Sequence, residues 1–424
     1  MADSIIYGEA TITFPERNVF DDMIQLILNV NWLNSSEYYS YTSEELGLSV
    51  QKYGALSLVY ELDQFLLTPA DVTITLNDTR GILQNHLFGV DFDNMVVKAE
   101  IKINGDSDFN GSLIDDSLRY DESTKVLSMG FSSDSNKINE VTLYDDDDVA
   151  LNPLGYDLTP YSTINKNTSV LKTIGVALLD ILKLIDPNIT LTINHDWQFG
   201  GITPTNRPKV FEYLQVEPAL WYNKPAFERL LGGLLKSVAK AFFAQITIVS
   251  NSKAYFRKLY YYNSYNVQTV NVLNRIKGYK YHKIKYANSK NTFGTLDGQI
   301  IYHIPNHAAY TEVSEDMVSY AHNWATYWVY TPTGFFESAY YVKDPLYANE
   351  AQSYYNWMEI VAKLMYHYRS KTYNNRVDVF KMKGINYDYS KNFNYDGSKY
   401  QILSMRKYLS EGYTEIEAIY LGTV

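Results

Sequence analysis

The sequence predicts an α+β, mainly β fold, with two antiparallel β units on either side of a helix-containing middle region. Three observations predict it. Residues 97–131, VKAEIKINGDSDFNGSLIDDSLRYDESTKVLSMGF, alternate polar and apolar side chains almost without a break. Apolar positions between 168 and 242 recur at helical spacing instead. The last third returns to alternation and closes on YTEIEAIYLG. With 424 residues the chain exceeds one ordinary core, so several domains are expected. The expected division is a first, acidic β-barrel unit over 1–148, an α+β middle over 149–280 and a second β-barrel unit over 281–424. The acid run Asp145–Asp148 marks the first boundary.

The first unit is read from residues ~50–145 as short strands with turn signals. GALSLVYELD and ADVTITLND supply two strands. Ala99, Ile101 and Ile103 then share one face, with Glu100 and Lys102 on the other. Asn104-Gly105 offers the positive φ angles of a tight turn. Phe109 and Leu113 resume the inward face around Gly111, where a bulge or close backbone approach is expected. Asp121 to Thr124 form the next turn, Leu127, Met129 and Phe131 the next buried row, and INEVTLYD a return strand.

In the middle, Thr168 or Ser169 is expected to cap a helix whose apolar face is Val170, Ile174, Ala177, Leu178, Ile181 and Ile185, ending before Pro187. A second helix is expected from Pro225, with Phe227, Leu230, Leu231, Leu234, Leu235, Val238 and Phe242 along one side. Gly232-Gly233 within it costs about 1 kcal/mol per glycine relative to alanine, so close packing is expected to compensate. AQITIVSNSKAYFRKLYYYNS reads as a hairpin around Asn251-Ser252. Farther on, Ala351, Tyr354, Tyr355, Met358, Val361 and Met365 predict a helix over ~349–369. RVDVFKMKGINYDY, the Asp396-Gly397 turn and KYQILSMRKYL lead to the closing strand, where Thr414, Ile416 and Ala418 alternate with Glu415, Glu417 and Ile419.

Composition narrows the function classes. Cysteine is absent, which excludes disulfides and thiolate metal sites and suits a reducing compartment. No apolar run approaches ~18 residues, and the start, MADSIIYGEATITFPERN, has no secretory pattern, so neither membrane insertion nor export is expected. Forty tyrosines fit either sheet packing or extensive protein–protein contact. The net charge of −11 is uneven: residues 1–150 hold 27 acidic and 8 basic side chains (−19), and residues 151–424 hold 21 and 29 (+8). A polarised molecule of this kind suits docking on neighbours of opposite sign. Specific DNA binding by the acidic part is disfavoured, since phosphate contacts need Lys and Arg.

No reactive constellation is legible. His303 and His307 in HIPNH are four apart, but Pro305 argues against a helical metal pair and no zincin glutamate is present. Asp145–Asp148 lacks the glycine and alternating ligands of a calcium loop. LGGLLKS around Lys236 lacks the glycine before the lysine of a phosphate loop and lies in a helical pattern. There is no nucleophile elbow and no dinucleotide fingerprint. No catalytic, cofactor-binding or metal-binding residue is therefore assigned, and no cofactor is expected. Carboxylate pairs for glycoside hydrolysis carry no sequence signature.

The phrase KAEIKINGDSDFNGSLIDDSLRYDESTKVLSMGF resembles a passage of the phage tail hub family, the central hub of contractile-tail baseplates and the related N-terminal part of siphophage tail-associated proteins. Asn104, Gly105, Phe109, Gly111, Tyr120 and Asp121 carry the likeness. PAFERLLGGLLKSVAKAFFAQITIVSNSKAYF resembles the family's helix-then-hairpin segment, and NYDGSKYQILSMRKYLSEGYTEIEAIYLG its closing strands. The resemblance spans most of residues ~50–424. It implies two tail-tube-like barrels per chain and a homotrimer presenting six barrels around a channel. A tail tube or distal tail ring would lie on one side and a spike or tail-tip protein on the other, with a tape-measure protein as a further neighbour. DNA would pass without specific binding, and the protein would be a virion component assembled in the host bacterial cytoplasm. Acidic residues of the first third lining the bore would repel phosphates. The C-terminal extension that carries peptidoglycan-cleaving or receptor-binding modules in some relatives is not expected. The alternatives are a glycan- or receptor-binding tail-tip protein and a cell-wall hydrolase working through two unmarked carboxylates.

Overall fold

The computed structural model describes residues 7–33, 36–60, 66–90, 94–143, 151–155, 172–194, 214–216, 230–241, 244–250, 253–278 and 376–424. It also describes short strands at 285–287, 294–296, 299–303, 310–313, 328–331, 334–337, 341–343 and 354–356. The fold is mainly β with few helices.

Period-two alternation builds the first sheet. Its strands are β1 (Tyr7–Arg17), β2 (Met23–Leu33), β3 (Tyr38–Thr42), β4 (Leu48–Tyr53), β7 (Val72–Asp78), β8 (Val97–Ile103), β9 (Asp106–Leu113), β10 (Arg119–Asp121) and β11 (Val126–Ser133). They run in the order β3-β1-β2-β8-β9-β11-β7-β4, with β10 on β11. Each strand sends alternate side chains to one core: Ile12 and Phe14, Leu26 and Leu28, Ala99 and Ile101, Leu127, Met129 and Phe131 are all buried. The opposite positions are largely Thr, Ser, Asn and Gln: Thr11, Gln25, Asn29, Thr75 and Ser112 are exposed or half-buried. The described acids divide between connections, such as Asp21-Asp22, Asp115-Asp116 and Glu122, and strand positions such as Glu9, Glu16 and Glu100.

The turns form as the residues dictate. Asn104 and Gly105 both have positive φ (50° and 93°). Asp121 accepts from the backbone N–H groups of Ser123 (2.8 Å) and Thr124 (3.2 Å) and from the Ser123 hydroxyl (2.6 Å). Those bonds, the Ser123 hydroxyl foremost, hold its carboxyl down at about 2. Gly111 is a close approach: a Cβ there would stand 2.5 Å from the Ser132 carbonyl oxygen. The bulge falls nearby, with a register shift between Ile101 and Lys102 on β8.

Where the sheet's two ends come round, β3 and β4 are joined by the four-residue helix α1 (Ser43–Leu46), with a Thr42/Glu45 capping box and a left-handed Gly47. Glu16, late in β1, accepts from the Val50 backbone N–H of β4 and lies beside the Tyr53 hydroxyl. Helix α2 (Ile82–Leu87) buries Leu83 and Leu87. Its first turn is held by the buried Asp78 carboxylate, which accepts from Ile82 N–H (3.0 Å) and Gln84 N–H (2.8 Å). His86 stacks on Trp32 and accepts from the Leu33 N–H at 3.2 Å through Nδ1; burial lowers its pKa and favours that neutral acceptor form.

Among the described residues the second sheet has eleven strands. Thr190–Asn194, Lys253–Lys258, Ala244–Ser250, β6 (Leu66–Pro69), β5 (Leu56–Tyr60), Ser398–Tyr408, Tyr413–Thr423, Val377–Lys383 and Val272–Ile276 lie in that order, with Asn392–Tyr395 attached at Ser398–Tyr408 and Val267–Gln268 in turn on Asn392–Tyr395. GALSLVYELD therefore makes a strand, but in this sheet rather than beside ADVTITLND. Met405, Arg406 and Lys407 pair with Leu58, Ser57 and Leu56. Alternation specifies a strand and its faces, not its partner.

Other differences have local causes. The stretch expected as a return strand begins as a 3-10 helix, Asp134–Asn139, started by the Ser133 hydroxyl; among its described residues it continues as a bridge from Thr142 to Leu230. The first middle helix is Ile174–Leu182 and its cap is Thr173, whose side chain accepts from Val176 N–H. Lys172 and Thr173 pair with Gln215 and Val216, so the helix cannot start earlier. Thr168, Ser169 and Val170 lie outside the described residues. The second helix is described over Leu231–Ala241; Pro225 and Phe227 lie outside the described residues. Gly232 packs closely as expected, since a Cβ would sit 2.4 Å from Asn139 Oδ1. Within the stretch expected as a helix over 349–369, Tyr354–Asn356 is a strand paired with Tyr341–Lys343. Two adjacent tyrosines favour a pleated surface. The rest of that stretch lies outside the described residues.

Candidate functional site

The two sheets meet along a joint, and three features of the chain build it. The first is the β1–β2 hairpin tip. Asn18 Oδ1 accepts from Phe20 N–H (2.8 Å) and Asp22 N–H (3.1 Å), and Arg17 reaches Asp21 at 2.6 Å. This tight tip pushes Val19 and Phe20 outward against Gly412, where a Cβ would be 2.5 Å from the Phe20 ring. Gly412 also has φ +69°, so both space and backbone conformation call for glycine. Lys383 Nζ stands 4.5 Å over the Phe20 ring.

The second feature is shared core. Ile385 and Leu409, from turns of the second sheet, are fully buried among the first sheet's apolar residues. The third is a pair of cross-sheet salt bridges from the β8–β9 tip. Ile101 opposes Phe109 and Lys102 opposes Ser107, so Asp108 is the extra residue of the bulge. Its carboxylate meets Lys407 Nζ at 2.7 Å, with side chains 16% and 11% exposed. Asp106, at the tip itself, meets Lys253 at 3.3 Å in the open.

Between these contacts lies a cleft of about 360 Å³. Its charged lining is Asp106, Asp108, Asp388, Lys253, Lys391 and Lys407. Lys391 stands 3.8 Å from Asp388, so the three carboxylates face three ammonium groups as ion pairs. Tyr255 also lines it, and burial first, then Asp388, raises its hydroxyl above the usual tyrosine range. The chemistry available is charge pairing and hydrogen bonding. A glycosidase needs one acid kept protonated in apolar surroundings opposite an ionised partner, and each of these carboxylates has a lysine instead.

Behind the cleft the second sheet is tied by buried polar groups. Arg257 donates to the carbonyls of Tyr389 (2.9 Å) and Ile402 and to Gln245 Oε1 (3.4 Å), and lies 4.6 Å over the Tyr389 ring. Burial lowers its pKa from the ordinary arginine value. Tyr389 donates to Gln245 and to the Leu403 carbonyl. A second knot centres on Asp378, fully buried, which accepts two bonds from Arg376 (2.9 and 2.6 Å) and one from the Tyr400 hydroxyl (3.0 Å). Burial, then Asp378, pushes that hydroxyl up to about 12.

The positions singled out in sequence stand elsewhere. His303 ends the strand Gln299–His303, while Pro305, His307 and Asp145–Asp148 lie outside the described residues. Lys236 lies in the helix Leu231–Ala241. Among the described residues no group of three His, Asp or Glu side chains is placed to hold a metal ion, and no helix is long and apolar enough to cross a membrane. The tyrosines divide between both readings: Tyr389 and Tyr400 are core, while Tyr38 and Tyr265 are exposed.

No family model matches the chain, and no curated protein does. Solved structures do resemble it. The prophage MuSo2 43 kDa tail protein from Shewanella oneidensis is 11% identical with a TM-score of 0.40, the match covering 88% of this chain and 96% of that one. The tail protein from Neisseria meningitidis MC58 is 9% identical with a TM-score of 0.41, covering 88% and 95%. The prophage tail protein gp18 from Listeria monocytogenes EGD-e is 9% identical with a TM-score of 0.36, covering 87% of each.

Proposed function

We propose that this chain is a structural hub of a phage tail, three copies of which close a ring that continues the tail tube and adapts it to a tip or spike. One observation carries the reading: two large sheets are joined by a common core, a hairpin tip seated on glycine and a bulge-aimed salt bridge. An adaptor needs a fixed angle, because small angular errors between units would prevent a ring from closing. The sequence likeness at Asn104, Gly105, Phe109, Gly111, Tyr120 and Asp121 supports the family. The channel conducts DNA without specific contacts, a tube or distal ring sits above, and a spike or tip protein below.

Particle mass across a range of concentrations, with negative-stain images, tests this. A three-fold ring with a central hole is the expected result. A monomer at every concentration, with or without the neighbouring tail proteins, would overturn it.

A further inference from the structure

Two sheet edges are left open among the described residues, and their chemistry is complementary. On the first sheet, β3 pairs with β1 on one side, Glu9 to Thr13 opposite Tyr38 to Thr42, and no described strand pairs with its other side. On the second, Val272–Ile276 pairs with Val377–Lys383 on one side and with no described strand on the other. Open edges carrying apolar side chains are templates for another strand, and proteins ordinarily blunt them.

Both edges carry exposed apolar side chains. Tyr38 is 65% exposed, its hydroxyl fixed 2.7 Å from Thr11 Oγ1. Leu273 is 53% and Ile276 61% exposed. The other two ends are blunted. At β4 a register shift between Val50 and Lys52 breaks the ladder, and Glu16 takes the Val50 N–H. Thr190–Asn194 has no exposed large apolar side chain.

Charge completes the match. β3 is flanked by Glu37 and runs into Glu44 and Glu45 of α1. Val272–Ile276 leads into the exposed Lys277, while its Arg275 is turned inward onto Asp378 (3.8 Å) and Asp396 (3.6 Å). We infer that β3 of one copy docks on Val272–Ile276 of the next, so that each ring junction is a strand pairing between the acidic edge of one first sheet and the apolar, Lys277-flanked edge of its neighbour's second sheet. Because the two patches differ and lie on different sheets of one chain, the contact is head-to-tail and generates a closed ring or an open filament. The inference rests on the ring reading and names its interface. It gives the uneven charge of the sequence a place to act, since acidic and basic edges recognise each other across copies rather than within one.

The natural absence of cysteine permits a background-free test. Chains carrying Tyr38→Cys and Ile276→Cys are mixed at micromolar concentration and oxidised with diamide. A mixed disulfide dimer is expected, and none when Tyr38→Cys is mixed with Thr423→Cys. A chain carrying both Tyr38→Cys and Ile276→Cys should give a covalent ladder ending at three copies. Lys277→Glu should weaken self-association roughly two- to fivefold at low salt, as expected for an exposed charge pair, and Glu44→Lys in the same chain should restore it. A ring seen by mass that gives no Tyr38–Ile276 crosslink and ignores the charge swap overturns this inference and leaves the ring reading standing. A chain that stays monomeric and uncrosslinked at every concentration overturns both.

Discussion

The first sheet and the second bury their interiors differently. The first is stitched almost wholly from apolar side chains in strict alternation, with Phe14, Phe109 and Phe131 as its largest fully buried members. The second encloses Arg257, Asp378, Gln245, Gln401 and Thr414 beside its aromatic cluster of Phe380, Phe393 and Tyr400. An apolar core tolerates shifts of packing as long as volume is kept. A buried guanidinium aimed at two named carbonyls does not, because any other arrangement strips a buried charge of its hydrogen bonds. The comparison teaches where specificity resides: the first sheet supplies adhesion, and the second holds the turns bearing Ile385, Leu409 and Gly412 at one angle to it.

That contrast can be broken most forcefully from the second sheet. Arg257→Ala should cost about 3–5 kcal/mol in chemical denaturation, because it strands the Tyr389 and Ile402 carbonyls and leaves a hole. Arg257→Met, which keeps the volume, should recover part of the loss; equal losses would mean that packing alone is measured. Phe131→Ala in the first sheet should cost a similar ~3–5 kcal/mol, but Phe131→Leu should be tolerated far better, as expected of a core that needs volume rather than geometry. At the joint, Gly412→Val should cost roughly 1–3 kcal/mol from strain and overpacking against Phe20, with Phe20→Ala relieving part of it in the double variant. Removal of the joint's lysines should separate burial from proximity: Lys407→Ala should destabilise measurably and Lys253→Ala by no more than ~1 kcal/mol, since the latter pair is open to solvent.

The smallest expected effect is a pH dependence in the first sheet. Burial depresses the folded pKa of His86, so the unfolded chain takes up its proton first as pH falls. Stability contributed by neutral His86 is complete above the ordinary histidine value of about 6.5. It is lost as pH drops from there through the lower folded value. His86→Asn, which keeps an acceptor but does not titrate, should flatten unfolding midpoints compared between pH 7.5 and 5.5; an unchanged slope would assign the dependence to other groups.

Sequence made the strands of residues 97–131 legible because alternation there is strict and the turns carry Asn-Gly and an Asp that bonds its own backbone. The joint was much less legible. LSLVY announces a strand, but besides the nearby Leu66–Pro69 its partner is Ser398–Tyr408, more than three hundred residues away, and pairing at that range leaves no local mark. Asp108 reads as one acid among many, because a bulge is a relation between two strands rather than a property of DSDFNG. Arg257 is hidden for a different reason. In Lys253–Lys258 both faces of the strand are covered, so alternation no longer distinguishes inside from outside, and a buried arginine resembles an ordinary solvent-facing one. The middle helix was found, but its start was misplaced, because Lys172 and Thr173 are held in a strand pairing with Gln215 and Val216 that no cap signal reveals.

The central claim is that the two sheets form one rigid body, and an intramolecular distance tests it most directly. Spin labels at Glu122→Cys on the first sheet and Thr423→Cys on the second, in a chain with no other cysteine, allow that distance to be measured by pulsed electron resonance on dilute protein. One narrow distribution, unchanged on assembly but broadened by Gly412→Val, is the predicted result. A broad or multiply peaked distribution in the unaltered chain would show two independently moving units and contradict the account.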